Sequence, residues 1–196
     1  ASTVDVFFDG PSQAPREELR QTGGVPPLRN DDEYHVFISH YQRYAGDACD
    51  MLQRDFAAHG VRAWWDQDQP DINATAMLSG VEKSRVYLLF LTKDVFSCPW
   101  VLMEARHALA KEKPVVLVHE ADVGRDGFAP IAELIAQAPP DLKCLFAQHE
   151  SVSFQRRSLF REAMMLHLVD LVAQACAGNT SPTPLAAPPA PVPPPP

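Results

Sequence analysis

Val86 to Thr92 reads VYLLFLT, a run of aliphatic, β-branched and aromatic residues that is too short for a typical helix and apolar on both alternating faces. A strand of that kind is buried on both sides, as the strands of a parallel sheet flanked by helices are. Outward from it the pattern repeats. Tyr34 to Ser39 (YHVFIS), Val61 to Asp66 (VRAWWD), Val115 to His119 (VVLVH) and Leu142 to Ala147 (LKCLFA) are further strand-like runs. Helical stretches lie between and after them, at residues 47–59, about 76–84, 100–113, about 130–137 and 158–177. Strands alternating with helices pair in parallel through right-handed crossovers. The expectation is an α/β fold, a five-stranded doubly wound parallel sheet of flavodoxin-like type in the order 2-1-3-4-5.

In such a sheet ligands bind at the carboxyl ends of the strands that flank the topological switch point, here the first and third. The loops that matter are then His40 to Gly46 and Lys93 to Pro99. The second of these feeds a helix that carries Trp100 and Glu104, an indole and a carboxylate four residues apart on one face. Pro99 suits the first helical position, and Ser97 or Cys98 is the candidate cap. A helical wheel puts Val101, Leu102, Ala105, Ala108 and Leu109 on the core stripe and leaves Trp100, Glu104, His107 and Lys111 on a flank. Neither position four residues from Glu104 is a Lys or Arg, which weakens the reading of an ordinary salt-bridged surface glutamate. Pattern alone still favours a surface carboxylate beside a packing indole over a ligand-facing pair.

Composition bounds the rest. With 196 residues, 46% of them hydrophobic, the chain builds one core, and residues 32–178 are the globular part. Residues 1–31 read as an irregular arm with one strand-like run, Thr3 to Phe8, broken by Pro and Gly. Residues 179–196 read as a proline-rich tail: nine of the fifteen from Pro182 onward are proline and none is charged. That favours an extended spacer over an SH3 or WW ligand, which carries a basic flank. The chain has no initiator Met and reads as a processed product or a piece of something longer. A net charge of −8 with no basic run argues against nucleic acid as a partner. Cys49, Cys98, Cys144 and Cys176 are far apart, without metal-ligand spacing, and read as small buried hydrophobes in a reducing compartment. The longest wholly apolar run, Val86 to Leu91, is far short of a membrane span, so a cytoplasmic location without membrane association is expected. A GxGxxG turn, a phosphate-loop lysine motif and a G-x-S-x-G elbow are all missing.

YHVFISHYQR, then VRAWWD, then VEKSRVYLLFLT, then the W-x-x-x-E of Trp100 to Glu104, in this order and spacing, resemble the Toll/interleukin receptor (TIR) domain over roughly residues 33–178. That family contains adaptors that signal by self-association and enzymes that cleave NAD, and W-x-x-x-E looks like the enzymatic branch. The resemblance implies that Glu104 is catalytic and that NAD is the substrate, with no cofactor and no metal. Matched by position, His40 and Tyr41 stand where the family has polar and basic ligand contacts, with Arg43 as a basic group two places late. Arg43 reads either as a phosphate partner or as a solvated arginine. Trp65 and Asp66 match the end of the second strand, where packing is the alternative for Trp65. Ser97 and Trp100 complete the substrate contacts. The loop from Asp66 to Ala74 reaches a neighbouring subunit in the family; here it lacks the usual glycine and carries Pro70, Asp66, Asp68 and Asp71, while bulky Tyr41 and Tyr44 follow the first strand.

The chemistry suits a single carboxylate. Nicotinamide in NAD is already a cationic leaving group, so no acid is needed to protonate it, and bond breaking builds positive charge on the ribose. A carboxylate at the anomeric carbon stabilises or captures that charge. The implied function is an NAD glycohydrolase in signalling or defence, giving ADP-ribose or cyclic ADP-ribose. The alternative is a non-enzymatic module acting by self-association or by binding other TIR domains.

Overall fold

The computed structural model describes residues 25–29, 31–65 and 73–178. The expected strand at Thr3 to Phe8, the proline-rich tail and the acidic loop with Asp66 lie outside the described residues. The strands are β1 (Tyr34–His40), β2 (Ala63–Trp64), β3 (Ser84–Leu91), β4 (Val115–Glu120) and β5 (Ser151–Phe154). The helices are α1 (Gln42–Ala58), α2 (Ala74–Glu82), α3 (Pro99–Ala110), α4 (Ile131–Gln137), α5 (Cys144–Gln148) and α6 (Ser158–Ala177). All five strands are parallel and run in the order β2-β1-β3-β4-β5, as the alternation of elements predicts.

The two-residue side-chain period divides the core in two. Val36, Ile38, Val86, Leu88, Phe90, Val116 and Val118 point to one face, where Leu52 and Phe56 of α1 and Leu168 and Val172 of α6 cover them. Phe37, Tyr87, Leu89, Leu91, Val115 and Leu117 point to the other, under Met77 and Val81 of α2 and Val101, Ala105 and Ala108 of α3. β3 is central, paired with β1 on one side and β4 on the other along most of its length, which is why its sequence is apolar at nearly every position.

Three expectations are corrected. Leu142 to Ala147 is not the fifth strand: a 3-10 turn at Pro140–Leu142 and the helix α5 occupy it, and β5 is Ser151–Phe154. Leu142 and Leu145, three apart, bury together on one side, a helical spacing that an apolar run of this length does not distinguish from a strand. SVSF, by contrast, pairs among the described residues with β4 alone, as an edge strand, and its two serines hide it. The second strand is two residues long, where Val61 to Asp66 was expected, because a sheet edge demands little pairing. Finally α1 begins at Gln42, not Asp47, so the expected loop of His40 to Gly46 shrinks to Tyr41 alone. Ala45 and Ala48 bury against the sheet and extend the helix backward through Gly46. Of the cysteines, all free, Cys49 and Cys176 are buried and Cys98 and Cys144 only partly so.

With so little ladder, β2 is held by side chains. His35 accepts a hydrogen bond at Nδ1 from the Arg62 backbone N–H at 2.9 Å, and its Nε2 faces the Pro26 carbonyl at 3.3 Å, so the neutral imidazole fits both partners. Burial is the largest cause of a His35 pKa below the ordinary imidazole value, and burial also lowers those of His119 and His149. The unfolded chain then binds protons more readily than the folded one. Stability is fully present above pH ~6.5 and is lost as the pH falls from there toward the lowered values. Thermal melts across that window should show a falling midpoint, and His35→Gln should flatten the slope; an unchanged slope means that His35 does not titrate with folding.

Trp64 stacks on Phe37 with centroids 4.5 Å apart and planes 15° apart, and Gly80 of α2 lies against the indole. A Cβ at Gly80 would sit 2.6 Å from Trp64 Cε2, and the ring has no room to retreat because Phe37 is behind it. Gly80→Ala should therefore destabilise the fold by about 1–3 kcal/mol in urea unfolding, despite the better helix propensity of alanine. A stabilised variant would show that the indole moves.

Candidate active site

The site forms where β1 and β3 end side by side. β1 closes with Ser39 and His40, and Tyr41 alone joins it to α1. After β3 the chain turns through Asp94, in the left-handed region at φ 59°, and the 3-10 turn Val95–Ser97, then enters α3 with Pro99 at its first turn. Asp94 is among the residue types that tolerate this backbone best. Cys98 is the cap residue but neither candidate side chain caps: the Ser97 hydroxyl donates to the Asp94 carbonyl at 2.7 Å.

Glu104 is not on a solvent flank. It is 2% exposed, and it completes the buried stripe of α3 with Val101, Ala105 and Ala108, whereas Leu102 and Leu109 are only half-buried. Those four positions are spaced as i, i+3, i+4 and i+7, so the apolar stripe of this helix has a carboxylate built into it. The Ser39 hydroxyl donates to Glu104 Oε2 at 2.6 Å, with both residues buried. That separation is characteristic of a charge-assisted O–H···O bond. Tyr87 of β3 is fully buried nearby. Burial pushes its phenol well above the ordinary value and the negative charge of Glu104 adds to the effect, so the ring stays neutral under the site.

A cavity of about 300 Å³ opens over the carboxylate. Four residues expected from sequence line it: His40, Tyr41, Trp100 and Glu104. Ile38, Gln42, Met77 and Cys98 line it too; Gln42 and Cys98 fall in the two stretches that the sequence singled out, without being named there as contacts, and Ile38 and Met77 fall outside them. Trp100 is 43% exposed, a large apolar ring left at the rim. Trp65 does not line the cavity; it is buried in the core and stacks on the His40 imidazole, centroids 4.9 Å and planes 17° apart. His40 Nε2 also lies 2.6 Å from Gln42 Oε1, so its ring is held from two sides. Arg43 and Ser97 are exposed and outside this lining, and Arg43 instead lines a wider polar hollow of about 920 Å³ next to it. The described lining of the smaller cavity contains Glu104 and neither Lys nor Arg. A buried carboxylate at a cavity wall, screened little by solvent, is suited to stabilising positive charge on a bound group. Among the described residues no three His, Cys, Asp or Glu side chains group as a metal site, and no helix is long and apolar enough to cross a membrane.

A family model for the TIR domain matches residues 36–156, from the third residue of β1 to just beyond β5. The chain belongs to the TIR domain family. This TIR domain is similar to a metazoan TIR-STING receptor from C. gigas, solved in complex with 2′,3′-cGAMP, at 16% identity and a TM-score of 0.53 over 78% of this chain. The match spans 42% of that receptor chain, less than half its length. It is also similar to the TIR domain of a Toll-related receptor from Hydra magnipapillata, at 11% identity and a TM-score of 0.50 over 71% of this chain and 98% of that one. At such identities the likeness is one of fold. A search of curated proteins returns no match.

Two further residues beside Glu104, Ser39 and Tyr87, escape sequence reading for different reasons. Ser39 left a trace, a polar residue closing an otherwise apolar strand. Tyr87 left none, because an aromatic residue inside VYLLFLT is indistinguishable from core.

Proposed function

We propose that this TIR domain is an NAD glycohydrolase with Glu104 as its catalytic residue. One observation carries the reading: a carboxylate buried in an apolar helix stripe, oriented by Ser39 at 2.6 Å, forms the wall of a cavity with an indole at its rim. Burying a charge is costly, and a helix that needed only packing would have an apolar residue there. The reaction breaks the bond between ribose C1′ and the nicotinamide nitrogen. The electron pair leaves with nicotinamide, which departs neutral, and the positive charge passes to C1′ and the ring oxygen. Glu104 stabilises that cation or bonds to it. Water then adds to C1′ and loses a proton to give ADP-ribose, or a nitrogen of the adenine ring adds instead and closes a cyclic product. Trp100 supplies a wall for the nicotinamide or ribose face, and His40, held by Trp65 and Gln42 at the cavity wall, is the proposed sugar contact. NAD enters as substrate. The reducing, NAD-containing cytoplasm is the fitting compartment, and the four free cysteines agree with it.

The TIR family acts through assemblies, and the partner proposed here is a second copy of the domain. The test is nicotinamide release by purified protein over about a hundredfold range of concentration. If neighbouring copies complete the site, the rate should rise more steeply than linearly; a linear rise removes the shared site and leaves the hydrolase. No release anywhere in the range overturns the hydrolase and makes the domain an interaction module that works by TIR–TIR association.

A further inference from the structure

Parallel pairing sets Phe37 opposite Tyr87 and Ser39 opposite Leu89, and the two-residue period turns all four side chains to the face that α3 covers. Tyr87 and Ser39 are therefore diagonal neighbours on adjacent strands, a spacing that an aromatic side chain spans. Glu104 reaches Ser39 from α3. Tyr87 belongs to the cluster of Phe37, Leu89, Leu91, Val101 and Ala105, and its ring stacks on Phe37 with centroids 6.0 Å and planes 16° apart. Phenylalanine would serve that packing as well, without the cost of burying a hydroxyl, so it is the hydroxyl that calls for a role.

The hydrogen-bonding capacity of Ser39 gives the direction. Its single hydroxyl proton goes to Glu104 Oε2 at 2.6 Å, and what its oxygen still offers is lone pairs, so a neighbour must donate to it. The Tyr87 phenol is the donor at hand: it is fully buried, it is kept neutral by burial and by the Glu104 charge, and Ser39 is its hydrogen-bonding neighbour. The contact is longer or more bent than a full hydrogen bond, since no described partner meets the Tyr87 hydroxyl squarely, and a small rotation of either hydroxyl closes it. We infer that Tyr87 is a positioning residue of this site, donating to Ser39 and through Ser39 holding the Glu104 carboxylate in place and in its charged form. A donor behind Ser39 polarises the O–H bond that Ser39 turns to the carboxylate, and hydrogen bonds to the charged form favour that form against the cost of burying it. The consequence for turnover rests on the NAD reading of Glu104; the contact itself does not.

Tyr87→Phe removes the hydroxyl and keeps the ring, and two readouts follow it. The titration of the Glu104 carboxyl, observed by carbon-13 NMR, should move up by about half a pH unit. The acid limb of kcat/KM for nicotinamide release should move up by the same amount, leaving the variant about threefold slower on that limb and equal to the wild type at the alkaline end of the profile. His40 and Tyr41 at the end of β1 and Cys98 ahead of α3 also titrate at the cavity, α2 contributes Met77, which does not, and all of them are the same in the proteins compared. Ser39→Ala breaks the line, and adding Tyr87→Phe to it should move neither readout further. The melting temperature of Tyr87→Phe should hold or rise, because a buried hydroxyl short of a full bond is removed. Unmoved titrations overturn the inference, and joined to a lower melting temperature they make Tyr87 a packing residue only. A shift that persists in full on top of Ser39→Ala overturns it as well, since Ser39 is then no intermediary. A carboxyl titration that moves as expected in a protein that releases no nicotinamide at any pH overturns the hydrolase and keeps the role of Tyr87.

Discussion

Glu104→Gln should lower the rate of nicotinamide release by about a hundredfold or more while the fold is retained. The substitution keeps side-chain volume and a carbonyl oxygen for the Ser39 hydroxyl, now 2.6 Å from Oε2, and removes only the negative charge. In a cavity whose described lining has no other charged group of the Asp, Glu, Lys or Arg type, that charge is the main electrostatic asset against the developing ribosyl cation. Trp100→Ala removes a wall and not the charge, so it should raise KM and lower turnover by a smaller factor. The control is stability: far-ultraviolet circular dichroism and melting should match the wild type within a few degrees. Equal turnover by wild type and Glu104→Gln would remove Glu104 from the chemistry and make its burial a matter of structure.

The largest expected effect on stability lies along the same carboxyl edge of the sheet, at β4 and β5. Glu120, the last residue of β4, is 1% exposed, and Arg156 reaches its two oxygens at 2.8 and 2.7 Å from Nη1. The Asp122 N–H donates to the same carboxylate at 2.9 Å, and the Arg156 guanidinium lies 4.8 Å from the centroid of the Phe154 ring. Arg156→Ala strands a buried negative charge and removes the cover of β5, and should cost about 3 kcal/mol in denaturant unfolding. The double variant Arg156→Met/Glu120→Gln removes both charges and should recover much of that loss, because the damage comes from leaving one partner alone. The exposed pair of Arg54 and Asp50 on α1 is the internal comparison: it is solvated on both sides, and Arg54→Ala should cost almost nothing. If Arg156→Ala is equally mild, Glu120 finds water when its partner is removed.

Periodicity was enough for the sheet. VYLLFLT is apolar at every position that a central parallel strand buries, and the alternation of strands with helices led to the strand order without any knowledge of contacts. It also pointed to the ends of the first and third strands, where the cavity lined by Trp100 and Glu104 opens, because turn position and helix spacing are local properties of the chain. Local signals failed where neighbours decide. LKCLFA is as apolar as a strand, yet Leu142 and Leu145 bury as a helical pair, and the true fifth strand, SVSF, is defined by hydrogen bonds to β4 that its own residues do not announce. On a wheel Glu104 belongs to a solvent flank, since a charged side chain is assigned outward by default. Only the packing of α3 against the end of β1 buries it, brings Ser39 to it across 65 positions of sequence and sets Tyr87 beneath. The separation of a cavity around one carboxylate from a wider polar hollow next to it is likewise a product of which loops the sheet brings together, and no stretch of the chain holds both.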